Sequence, residues 1–157
     1  VPTLKKVLES LGHKTKLIIE FKNDKEQNPD YLVDQVVALI EETETMKNVI
    51  VSSFEFKNLV TTKSRMPDLS TALILEKGIS GFWDRHFFKH SINVDALHPS
   101  IGEVTEKLVR TEHLNHRKVR VWGVNESFDM MQMEKFGVDA IITDDPKLGL
   151  IYNLNQS

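Results

Sequence analysis

The chain contains no cysteine, which excludes disulfide scaffolds, thiolate zinc sites and cysteine nucleophiles and leaves any metal to oxygen or imidazole ligands. It also has no apolar run near the ~20 residues needed to cross a bilayer, so no membrane span is expected. Charge of one sign is not in surplus either. Lys and Arg number 20 against 23 Asp and Glu, interspersed, for a net charge of −3, so nothing marks a nucleic-acid or anionic-membrane partner. No Gly/Ser linker, low-complexity tract or matching repeat divides the 157 residues, and one domain over 1–157 is expected. The Val1-Pro2-Thr3-Leu4 start shows neither an initiator Met nor a secretion signal, so the expectation is a piece of a longer protein.

What the chain does have is a rhythm. Short β-branched runs, Lys16–Lys22, Asn48–Phe54, Thr71–Leu75, Ile92–Leu97, Lys118–Asn125 and Val138–Asp144, alternate with longer amphipathic stretches, and six strands are expected. Leu4, Val7, Leu8 and Leu11 make one helical face; Leu32, Val33, Val36, Val37 and Ile40 make another. Val104 with Leu108 and Phe128 with Met131 begin two more. Thr3 can cap the first helix, and Ser100-x-x-Glu103 has capping-box spacing. Strands recur every 21 to 32 residues, the size of βα units. That pattern implies an α/β fold with a parallel sheet, either a doubly wound open sheet or a (β/α)8 barrel. No glycine-rich turn follows the first strand, which weakens the dinucleotide-binding form of the open sheet.

Both architectures place function at the carboxyl ends of strands. There, Glu20 and Lys22 stand two apart, hence on one face, about 6.6–6.8 Å apart along the strand. A carboxylate can ligate Mg²⁺ or Ca²⁺ while an ammonium neutralises a phosphate oxygen; the alternative is a mutual ion pair. Trp122 near a strand end can wall a polyol pocket or simply fill the core. Asp144-Asp145-Pro146 offers a cation ligand or a helix cap with proline in the first turn. His98, directly after a strand, can serve acid/base chemistry or sit in solvent. His86 and His90 have the spacing of two ligands on one helix face but no accompanying carboxylate at a metal spacing. Phe82, Trp83, Phe87 and Phe88 follow the glycines Gly78 and Gly81, as a lid, a pocket wall or a packed helix would.

Five segments in order, Val-Pro-Thr-Leu-x-x-Val-Leu (1–8), Ile-Ile-Glu-Phe-Lys (18–22), Val-Ser-Ser-Phe (51–54), Val-Trp-Gly-Val-Asn (121–125) and Gly-Val-Asp-Ala-Ile-Ile-Thr-Asp-Asp-Pro (137–146), resemble the later part of the glycerophosphodiester phosphodiesterase family. The resemblance implies a (β/α)8 TIM barrel, with this chain covering roughly strands three to eight. It implies hydrolysis of glycerophosphodiesters to glycerol 3-phosphate and an alcohol, assisted by a divalent cation, Mg²⁺ or Ca²⁺. Glu20 would be a metal ligand, Lys22 a catalytic cation on the phosphate, and Trp122 a wall at the glycerol end, with Phe54 and Asn125 as substrate-side positions. Asp144 would shape the rim of the last strand.

The family's opening His-Arg-Gly motif, second histidine and two further acidic ligands have no counterpart in these residues. Roughly 90 residues, two βα units, would be needed to complete such a barrel. The expected partners are therefore a small-molecule glycerophosphodiester and the missing barrel portion, in cis or on a second chain. This segment alone is expected to be inactive, and a cytoplasmic location is expected. The rival reading is a non-catalytic binding or assembly module that keeps the βα framework.

Overall fold

The computed structural model describes residues 1–22, 29–75 and 93–154. They fall into two compact units, Val1–Leu73 and Ile74–Ser157, each an alternation of parallel strands and helices.

The first unit opens with helix α1 (Leu4–Leu11), which Thr3 caps by accepting the Lys6 N–H, as the sequence suggests. Strand β1 (Leu17–Phe21), helix α2 (Pro29–Glu42), strand β2 (Val49–Ser53), helix α3 (Phe56–Arg65) and strand β3 (Ser70–Leu75), which the boundary divides after Leu73, follow. β1 pairs in parallel with β2 and β2 with β3, with Glu20 level with Ser52 and Ser52 level with Ala72. One sheet face carries the core: Phe21, Val49 and Val51 pack with Leu8 of α1 and with Val33, Val36, Val37 and Ile40 of α2. These are the residues that the 3.6-residue spacing brings onto one side of each helix.

In the second unit, β4 (Ala96–Pro99), α4 (Glu106–Leu114), β5 (Lys118–Trp122), α5 (Ser127–Phe136), β6 (Ala140–Ile142) and α6 (Pro146–Leu154) repeat the scheme. β4 pairs in parallel with β5 and β5 with β6. Val119 and Val121 face a core shared with Val104, Val109, Val124, Met130 and Met133.

Two local expectations are corrected here. Ser100-x-x-Glu103 is no capping box: the Glu103 N–H closes a turn on the Ser100 carbonyl at 2.9 Å, and α4 starts later, capped by Thr105, which accepts from Leu108 N–H. Phe128 and Met131 are not the buried face of α5. They are 68% and 38% exposed, whereas Met130 and Met133 are each 1% exposed. Both pairs have i, i+3 spacing, but a shift of two residues turns an α-helix by about 200°, and packing against the sheet selects Met130 and Met133. Met133→Ala should therefore cost about 2–5 kcal/mol of unfolding free energy and Phe128→Ala no more than about 0.5, read from urea denaturation midpoints. Gly137, at φ 72, ends α5 in the left-handed conformation, its N–H returning to Glu134 and Met133 carbonyls, a stop that favours glycine.

Candidate functional site

In β1 the alternation of side chains separates two environments. Leu17, Ile19 and Phe21 pack against the core, while Ile18 and Glu20 lie exposed on the opposite face. Glu20 thus points away from the helices. Lys22 joins it, with Nζ 3.9 Å from Glu20 Oε1 and side chains 81% and 35% exposed, respectively. An ion pair this long and this wet contributes about 0–1 kcal/mol at most, so either group can exchange its partner for a ligand at little cost. Its neighbour at this level is Ser52, with Ala72 beyond it on β3, small side chains that leave Glu20 room.

Phe54, 40% exposed, follows β2 at the carboxyl end. Its turn is fixed by Ser53, whose hydroxyl accepts the Glu55 N–H and the Asn58 amide, both at 3.0 Å.

The second unit carries a matching face. The parallel register runs from Ala96–Lys118 to the Ser100–Trp122 bridge, so His98, Ser100, Arg120 and Trp122 share the side opposite Val119 and Val121. Trp122 is half-buried, and its indole N–H and the Ser100 hydroxyl are both buried without a hydrogen-bond partner among the described residues. Gly123, at φ 78, turns the chain sharply after the indole.

Asn125 is committed locally. Its amide carbonyl accepts from Thr143 Oγ1 at 3.0 Å and the Asp144 N–H at 2.9 Å, and its NH₂ donates to Asp144 Oδ2 at 2.9 Å. It therefore ties the β5 and β6 loops together. Asp145 takes the cap role, its carboxylate accepting from the N–H groups of Lys147 and Leu148.

His98 is not a solvated loop residue. It sits inside β4 and is 2% exposed. Arg120 Nη1 donates to its Nε2 at 3.3 Å, which leaves the imidazole proton on Nδ1. Burial, and secondarily the Arg120 charge, push its pKa from 6.5 down to about 4. The consequence for stability has a definite sign. Between pH 6.5 and about 4 the unfolded chain takes up a proton here that the folded chain refuses, so stability falls as pH falls through that window. Urea melts at pH 7, 5.5 and 4 should show this loss, on the order of 2–3 kcal/mol, and His98→Gln should remove most of it.

Neither His98 nor Arg120 is announced by a motif. Arg120 could have been found from strand parity, two residues from Trp122. Among the described residues no group of three or more His, Asp or Glu side chains is arranged to hold a metal ion. His86, His90 and the aromatic segment 78–88 lie outside the described residues.

Residues 1–148 match the glycerophosphoryl diester phosphodiesterase family. The chain belongs to that family. A glycerophosphodiester phosphodiesterase of Caldanaerobacter subterraneus is 32% identical over 148 residues, which are 94% of this chain and 59% of the relative. One of Bacillus altitudinis is 28% identical over 93% of this chain and 60% of its own length. The fold agrees as well. A crystal structure of a protein assigned to these phosphodiesterases from Silicibacter pomeroyi superposes with a TM-score of 0.88 at 25% identity, covering 99% of this chain and 57% of that one. An Oleispira antarctica phosphodiesterase in complex with the product sn-glycerol-3-phosphate gives 0.80 at 18% identity, over 99% and 62%. The chain thus spans about three fifths of the length of the curated relatives it matches. No helix among the described residues is long and apolar enough to cross a membrane.

Proposed function

We propose that this chain supplies strands three to eight of a (β/α)8 barrel that hydrolyses glycerophosphodiesters to glycerol 3-phosphate and an alcohol. The observation that carries the reading is the placement of Glu20 and Lys22, side by side at the carboxyl end of β1 on the face turned away from the helices. A carboxylate and an ammonium displayed together there suit a bound cation and the phosphoryl oxygens it neutralises.

Glu20 fits one ligand position of a divalent cation, since its hard oxygen donors suit Mg²⁺ or Ca²⁺; the remaining ligands are assigned to residues outside the described set. When bound, the cation would polarise the phosphoryl group. Lys22 offsets negative charge on the non-bridging oxygens as the ester bond breaks. Trp122 offers its half-buried indole to the carbon skeleton of the glycerol moiety, and Phe54 gives an exposed apolar edge. Asn125 holds the loops of β5 and β6 in place and so shapes the rim. Proton transfer to the leaving alcohol is assigned to histidines beyond these residues.

Trp122→Ala in the complete enzyme tests the substrate side. KM for a glycerophosphodiester should rise about tenfold with kcat changed far less, because an apolar wall contributes binding shared by ground and transition states. An unchanged KM would make Trp122 a core residue only.

A further inference from the structure

Arg120 is a cation on the strand face opposite the core residues Val119 and Val121, and no carboxylate hydrogen-bonds it among the described residues. The nearest acid by sequence pairing, Asp139, is already engaged: its carboxylate accepts from Lys118 Nζ at 2.8 Å, from the Val119 N–H at 2.7 Å and from His113 at 2.8 Å. What bonds Arg120 instead is the neutral imidazole of His98. A carboxylate in that place would orient the guanidinium and cancel its charge together. An imidazole acceptor orients it without forming an ion pair, and the Asp139 and Asp95 charges act on it without a hydrogen bond to it.

The surroundings have the same bias. The two orphaned groups on this face, Ser100 Oγ and Trp122 Nε1, include a donor with no acceptor character at all in the indole. The guanidinium, the indole N–H and the Ser100 hydroxyl put three hydrogen-bond donors on this face, which suits an oxyanion, while Asp139 and Asp95 are the acids whose charge reaches Arg120.

We infer that Arg120, held in place but not neutralised by His98, is an anion-binding residue that takes a phosphate oxygen of the ligand lying against Trp122. The inference rests on the proposed function for the identity of the anion, a phosphate ester. Arg120 contacts the ligand; His98 is a positioning residue that acts through it.

The test uses the complete active protein and the product sn-glycerol 3-phosphate as probe, read as its inhibition constant, with KM and kcat alongside. Arg120→Met should weaken product inhibition about tenfold or more, the value of a charge-assisted hydrogen bond, and Arg120→Lys should recover part of it. His98→Glu and His98→Gln keep Arg120 in place and separate charge from geometry. Glu should weaken inhibition as much as Arg120→Met does, while Gln, a neutral acceptor, should stay near wild type. Thermal melts confirm that each variant is folded. If the Glu and Gln variants inhibit alike, or folded Arg120→Met keeps the wild-type inhibition constant, Arg120 is structural and the inference is overturned. If instead the wild-type protein fails to hydrolyse glycerophosphodiesters, it is the proposed function that fails. Direct titration of the protein with sn-glycerol 3-phosphate, wild type against Arg120→Met, then still decides whether Arg120 binds the anion.

Discussion

In the complete enzyme, Glu20→Gln is expected to lower kcat/KM for a glycerophosphodiester by about 100-fold or more, because it removes a charged oxygen ligand while keeping the side chain's size. The metal concentration needed for half-maximal activity should rise in parallel. Glu20→Asp is the informative companion. It retains the charge but shortens the reach, and Ca²⁺, which accepts ligands at 2.3–2.6 Å in flexible geometry, tolerates that better than Mg²⁺, which demands about 2.0–2.1 Å. Activity of the Asp variant should therefore recover more with Ca²⁺ than with Mg²⁺. Steady-state rates over a titration of each metal check all three statements. A Gln variant with wild-type kcat and an unchanged metal response would return Glu20 to the role of a surface ion-pair partner for Lys22.

The legible part of this protein is the part governed by period and burial. The alternation in Leu17–Phe21 separates Glu20 from the core residues correctly because one face of the strand must meet α2, and only Leu17, Ile19 and Phe21 can do so. The same logic places Leu8 and the Val33–Ile40 stripe. Where two residue sets satisfy one spacing, the pattern is silent, and α5 shows it: Phe128 and Met131 compete with Met130 and Met133, and tertiary packing decides. Short polar motifs fail for another reason. Ser100-x-x-Glu103 has a cap's spacing, but Ser100 is held in a bridge to Trp122 and cannot start a helix there.

The His98–Arg120 contact was equally hidden, since the two residues are 22 apart in sequence and meet only through the β4–β5 register. The apolar run that ends at Leu97 puts His98 just after the strand, yet β4 continues through His98 to Pro99, and proline is acceptable at the last position of a strand. Phe54 and Asn125 show the limit of positional resemblance: both lie in the loops just beyond β2 and β5, and only the structure reveals that the Asn125 amide is occupied by Thr143 and Asp144.

The second large expected effect concerns the chain by itself. Residues 1–157 alone should show no glycerophosphodiesterase activity with any divalent cation. Among the described residues no group of three candidate metal ligands exists, so Glu20 would leave most of a coordination shell to water, and cation affinity should be weak. The proton-transferring histidines of the proposed mechanism are also absent from its described site, where the buried His98 is held neutral down to about pH 4 and already accepts the Arg120 N–H. Supplying two further βα units would close a barrel and bring the ligands round one lumen, so hydrolysis and cation binding should return together.

The most direct test of this division of labour is the release of glycerol 3-phosphate from a glycerophosphodiester by the mass-verified 157-residue chain, assayed alone and after joining to, or mixing with, the first two βα units of a family relative, with and without Glu20→Gln. The account predicts background rates for either part alone, hydrolysis for the combination, and loss of that hydrolysis when Glu20 is replaced; robust turnover by residues 1–157 on their own would contradict it.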